Sequence, residues 1–168
     1  MALRKNFLRR GRRVAAERSA DPGAVRAAAI TLLSRRDFAT SELHQQLTSR
    51  GFDADSVAAV LAALSAERLL DDERYAQNYV SFHARRKQGP VRIGADLRAC
   101  GLAPELIEAA LASGPDCQAL ARSTRVARFG ARPPSSWAEM ARQARFLQYR
   151  GFSADHIRAA TGADPDLD

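Results

Sequence analysis

Lysine is nearly missing from this 168-residue chain. Of its 26 basic residues only Lys5 and Lys87 are lysines. The rest are arginines, whose planar fork suits carboxylate and phosphate, although a genome-wide bias toward Arg and Ala codons accounts for most of the skew. Cysteine is just as scarce: Cys100 and Cys117 stand in unrelated contexts. Neither belongs to a CxxC pair, which excludes a disulfide framework and a zinc site and fits a reducing, cytoplasmic setting. No apolar run approaches the roughly 20 residues of a membrane span. The basic start lacks the continuous apolar core of a secretion signal; such a start can mimic an organelle transit peptide, but it reads more simply as a flexible basic arm. His44, His83 and His156 have no second ligand at helical spacing, so no metal is expected. No P-loop and no Ser/His/Asp set is present. With no cofactor motif either, the chain is expected to work by binding, not by catalysis.

What is present favours helix. Hydrophobic residues make up 46% of the chain, enough for a core, and Ala and Leu dominate them over β-branched residues. The formal net charge of +7 is unevenly spread. Residues 1–20 carry +6 of it through Arg4, Lys5, Arg9, Arg10, Arg12, Arg13 and Arg18 against Glu17, which leaves +1 for everything else. Residues 122–150 then hold seven arginines against Glu139, and the C-terminus ends in Asp164, Asp166 and Asp168. Such a balance points to a polyanionic partner or to an acidic protein surface.

A 50-residue period runs through the chain. Gly51, Gly101 and Gly151 each follow a leucine four residues upstream (Leu47, Leu97, Leu147) and precede an apolar residue (Phe52, Leu102, Phe152). Acids come next at Asp55, Glu105 and Asp155, then Val57, Ile107 and Ile157, then Ala59, Ala109 and Ala159. Glycine after a helix takes the left-handed conformation that ends it, and the apolar residue beyond packs back on the helix just finished. Asp53, Pro104 and Ser153 start the next helix, whose first-turn acids suit its dipole. A further amphipathic helix precedes each pair, one of them from about Pro22 to Arg36. Gly89-Pro90, Gly114-Pro115 and Pro133-Pro134 mark connectors, and Ser136 with Glu139 forms a capping box.

The pattern predicts an all-α protein of three tandem three-helix repeats at residues 22–66, 71–113 and 116–162. A basic arm (1–20) precedes them and an acidic tail (163–168) follows. Units this small must stack on their neighbours, so an elongated, curved array with a binding groove is expected.

Candidate contact residues form two groups: Arg85, Arg86, Lys87, Arg92 and Arg98 in the second copy, and Arg142, Arg145 and Arg150 in the third. The bland reading of Arg85, Arg86 and Lys87 is that they end a helix, where its dipole favours cations; Arg92 begins a helix and lacks that excuse. Tyr149 and Trp137 read as packing residues. Asp71-Asp72-Glu73 resembles an acidic metal cluster but reads as helix-start caps. The third helix of each copy is Ala-rich and nearly neutral, against sequence-specific DNA readout.

Leu69-Leu70-Asp71-Asp72-Glu73-Arg74-Tyr75-Ala76, Arg85-Arg86-Lys87-Gln88-Gly89-Pro90-Val91-Arg92-Ile93 and Leu97 with Gly101-Leu102 together resemble the signature of the RecX family of recombination regulators. Leu32-Leu33-Ser34-Arg35-Arg36-Asp37 with Ser41-Glu42-Leu43 resembles that family's first repeat, and Arg145 to Phe152 its third. The resemblance spans about residues 22–162. It implies a non-enzymatic, cytoplasmic, monomeric protein that binds the groove of the RecA–DNA filament and restrains RecA's ATPase, coprotease and strand-exchange activities. Weak non-specific binding of single- or double-stranded DNA through the basic patches is the alternative, revealed by a steep salt dependence.

Overall fold

The computed structural model describes residues 20–162; the basic arm and acidic tail lie outside these, apart from Ala20. Every regular element among the described residues is a helix: α1 (Pro22–Leu33), α2 (Thr40–Ser49), α3 (Ala54–Ala66), α4 (Asp72–Arg85), α5 (Pro90–Ala99), α6 (Pro104–Ala112), α7 (Cys117–Phe129), α8 (Trp137–Tyr149) and α9 (Ala154–Thr161). None is long and apolar enough to cross a membrane. The chain divides into two compact units within α4, between Tyr75 and Ala76.

The periodic glycines end helices as their spacing predicts. Gly51, Gly101 and Gly151 have φ of 91°, 78° and 86°. In each case the next amide reaches back to the leucine carbonyl: Phe52 to Leu47 at 3.3 Å, Leu102 to Leu97 at 3.3 Å, Phe152 to Leu147 at 3.1 Å. The glycine amide bonds one residue further on, to Thr48, Arg98 and Gln148. That pair of bonds satisfies helix-end carbonyls and holds an apolar residue against the leucine five positions back.

In the first unit α1, α2 and α3 all pack on one another. Their shared core is aliphatic: Val25, Ala29, Leu32, Leu43, Leu47, Val57, Val60, Leu61, Leu64 and Leu70, joined by Phe38. Asp21 and Asp53 cap α1 and α3 through the amides of Gly23 and Ser56. Helix α2 begins after Ala39, which has no capping side chain. Asp72, 32 residues further along the chain, supplies the cap instead, accepting from the Thr40 amide at 2.7 Å and its hydroxyl at 3.1 Å. Asp71 accepts from the Arg74 amide and caps α4. The acidic run is thus two caps for two helices.

In the second unit α5 packs on α6, while α7, α8 and α9 pack together. Helix α4 ends at Arg85, where the Arg85-Arg86-Lys87 run was expected to end it: Lys87 takes the left-handed turn (φ 63°), with its own amide bonded to the Ala84 carbonyl and that of Gln88 to His83. One sequence expectation needs correction. The capping box at α8 is displaced by one residue. Ser136 accepts from the Glu139 amide, but the Glu139 carboxylate accepts from the Ser135 amide and hydroxyl, which hold it below the ordinary carboxylate range.

Candidate interaction surface

The second copy and the third meet backbone to backbone at a glycine pair. The Gly89 amide donates to the Arg150 carbonyl at 2.8 Å, and the Val91 amide to the Gly151 carbonyl at 3.0 Å. These two donors, at the N-cap and in the first turn of α5, have no partner within their own helix; the carbonyls belong to the turn that ends α8. The positive end of α5 therefore meets the negative end of α8. Only glycines allow this approach. A Cβ on Gly89 would lie 2.3 Å from the Gly151 oxygen, and one on Gly151 would lie 2.3 Å from the Arg92 Cβ.

Around this junction the structure gathers Arg86, Arg92 and Arg150, drawn from both predicted groups. The Arg150 guanidinium donates to the Arg86 carbonyl at 3.4 Å and sits 5.5 Å from the Phe146 ring. Arg86 lies 5.4 Å from the Phe82 ring, which is itself half exposed. No described carboxylate comes within ion-pair distance of any of the three. Arg92 now has an electrostatic rationale that its own helix denied it: its backbone packs on Gly151, where the C-terminal dipole of α8 favours a cation.

The remaining candidates fall elsewhere. Arg85 and Lys87 line a cleft between α4 and the start of α7, with the Lys87 ammonium donating to the Ser123 hydroxyl at 3.2 Å. Arg98 is six residues beyond Arg92 on α5, which turns it well away from the junction. Arg145 is exposed on α8, and Arg142 lies near the middle of that helix, 5.6 Å from the Phe129 ring. Eight residues of helix, about 12 Å, separate Arg142 from Arg150.

Tyr149 and Trp137 are not packing residues: each is 82% exposed. At the C-terminal end of α8, Tyr149 stands next to Arg150 and one turn from Arg145. Conversely Arg125, which sequence reasoning passed over, is buried. Its guanidinium donates to the carbonyls of Arg132 and Ala131 and to the Gln143 side chain, tying down the loop between α7 and α8. Its Nε makes no hydrogen bond within the protein. No sequence signal separated Arg125 from its exposed neighbours Arg122 and Arg128.

No group of acids, histidines and cysteines among the described residues could hold a metal ion. His83 stacks on Tyr79 at 4.0 Å, and burial, with Asp96 close by, pushes the Tyr79 phenol up to about 12.

Three family models, for the first, second and third three-helix domains of RecX, match residues 26–64, 71–111 and 116–161. The regulatory protein RecX of Halorhodospira halophila is 46% identical over 153 residues, covering 90% of this chain and 95% of its own length. That of Stenotrophomonas maltophilia is 39% identical over 139 residues, or 82% and 85% of the two chains. In fold, the crystal structure of RecX from Lactobacillus salivarius is similar with a TM-score of 0.73 at 22% identity, over 83% of this chain and 93% of that one.

Proposed function

The chain belongs to the RecX family of regulatory proteins, and from that premise we propose that it modulates the RecA recombinase without catalysis of its own. In this reading it lies in the groove of the RecA–DNA filament in the cytoplasm and restrains ATP hydrolysis, coprotease activity and strand exchange. The observation that carries the reading to named residues is the junction at Gly89 and Gly151. It holds Arg86, Arg92 and Arg150 in fixed relation, each without a carboxylate partner in the described part of its own chain. A rigid backbone spares the cost of ordering the segment that carries these arginines, so that on meeting an acidic groove they lose side-chain entropy alone.

The test is ATP hydrolysis by RecA on single-stranded DNA with this chain added. Inhibition is expected at or below one chain per RecA protomer. The triple charge reversal of Arg86, Arg92 and Arg150 to Glu should raise the half-maximal concentration at least about tenfold with helicity unchanged by circular dichroism. Equal inhibition by this variant would remove the junction from the contact surface, and no inhibition by the natural chain would end the reading.

One observation favours a second reading, direct contact with single-stranded DNA. Exposed Tyr149 beside Arg145 and Arg150 offers a ring for a base and cations for phosphates. Under that reading affinity for an oligonucleotide falls steeply with salt and Tyr149→Ala weakens it.

A further inference from the structure

Arg85 and Lys87, two of the candidates that lie away from the glycine junction, belong to a different surface. Between the C-terminal half of α4 and the first turn of α7 lies an open cleft of about 510 Å³, lined by Ser81, Ala84, Arg85, Lys87, Pro115 and Leu120. Ser81, Ala84 and Arg85 share one face of α4 by their spacing. The apolar floor of the cleft is Ala84, Pro115 and Leu120, which also border a closely packed space of only about 10 Å³ shared with Val80, Ile93, Leu111 and Cys117.

Its rim is cationic. The Arg85 Nε donates to the Ser81 carbonyl at 3.2 Å, which steers the guanidinium along the cleft while its two terminal nitrogens stay unpaired. Lys87 holds its side chain across the other end, bonded to Ser123, from a left-handed backbone conformation that non-glycine residues seldom adopt. Neither has a described carboxylate within ion-pair distance. Asp116 adjoins Pro115 of the lining, and its carboxylate is taken up by the amides of Gln118 and Ala119 as the cap of α7.

An apolar floor beneath two uncompensated cations discriminates among partners. Nucleic acid fits poorly, because no lining residue is aromatic and a base has no ring to stack on. An aliphatic side chain buries well there, and carboxylates flanking it would meet Arg85 and Lys87 in the manner of acidic-motif recognition. We infer that this cleft binds a short acidic peptide segment of a partner protein, with aliphatic side chains on the floor and carboxylates against Arg85 and Lys87. The inference does not rest on the recombinase reading, which uses the junction arginines; either can fail alone.

The probe is a fluorescein-labelled peptide of repeated Glu-Glu-Leu-Leu, followed by anisotropy with the full chain, beside an equally charged peptide of repeated Glu-Glu-Ser-Ser. Saturable binding of the first is expected, weaker by at least about tenfold for the second. Ser81→Trp fills the cleft from an exposed position without changing charge, and Arg85→Glu with Lys87→Glu reverses the rim; each should cost at least about tenfold in affinity, with circular dichroism confirming the fold. The inference is overturned by absence of saturable binding, by equal affinity for the two peptides, or by undiminished binding in Ser81→Trp. Loss of oligonucleotide binding in Ser81→Trp would likewise overturn it and assign the cleft to nucleic acid.

Discussion

Leu47 and Leu147 occupy the same place in the first and third copies, four residues before a left-handed glycine, and both are fully buried. Their surroundings differ. Leu47 sits in a broad aliphatic core fed by three helices. Leu147 is surrounded by Ala121, Phe152 and Ala160, with Leu120, Phe146 and Ile157 only partly covered. The buried polar side chains among the described residues (Thr124, Arg125, Gln143 and Thr161) all lie in this third copy. One copy invests in apolar volume; the other gives up volume for a hydrogen-bonded arginine and a backbone junction. The same helix pattern can thus be stabilised by two different means, and the copy with the smaller core is the one whose large aromatics, Trp137 and Tyr149, stand exposed.

Truncation measures the contrast most directly. Leu47→Ala should destabilise by about 3–5 kcal/mol, the upper range for a cavity in a well-packed core, whereas Leu147→Ala, among small neighbours, should cost about 2–3 kcal/mol. Urea denaturation followed by circular dichroism gives both values, and equal losses would erase the distinction. Next in size is Gly151→Ala, where an unfavourable φ combines with collision against Arg92. A loss of about 3 kcal/mol is expected, against about 1 kcal/mol for Gly51→Ala, whose Cβ meets nothing. Arg125→Ala should cost about 2 kcal/mol by stripping donors from two loop carbonyls. Proteolysis should then cut first between residues 130 and 136, and a first cut elsewhere would mean that Arg125 does not hold that loop.

The smallest effect concerns acid. The Ser56 amide and hydroxyl hold Asp53 below its ordinary range, and the Arg26 fork does the same for Glu67. A folded-state pKa that is lowered contributes stability above the unfolded value, and that stability is lost as pH falls through the folded one. Thermal melts of the natural chain should therefore drop as pH is lowered below about 4.5. Asp53→Asn, which keeps a capping oxygen, combined with Glu67→Gln should flatten that drop slightly. An identical acid limb would show that both carboxylates are energetically idle, as exposed pairs often are.

Much of the fold was legible because helix ends are local. The glycine stops, the Asp53 and Ser153 caps and the leucine columns each depend on a few neighbouring residues. What escaped was non-local. Nothing near Asp72 says that its carboxylate caps a helix 32 residues upstream. Nothing near Arg86 or Arg92 says that Arg150 stands beside them, since that depends on where two glycine turns meet. The exposure of Trp137 and Tyr149 was misread because large aromatics are usually buried; here each sits at an end of α8, away from the small cluster that α7, α8 and α9 enclose.

The three periodic glycines look interchangeable in the sequence, yet Gly51 and Gly151 are under different constraints. At Gly51 the demand is conformational, and asparagine, which enters the left-handed region readily, is an admissible replacement. At Gly151 the side-chain hydrogen itself is the requirement, because the space is filled by Arg92. Drift should therefore be free to rewrite the first glycine while the third stays fixed, so that a lineage can lose its visible periodicity and still keep the joint between its second and third repeats.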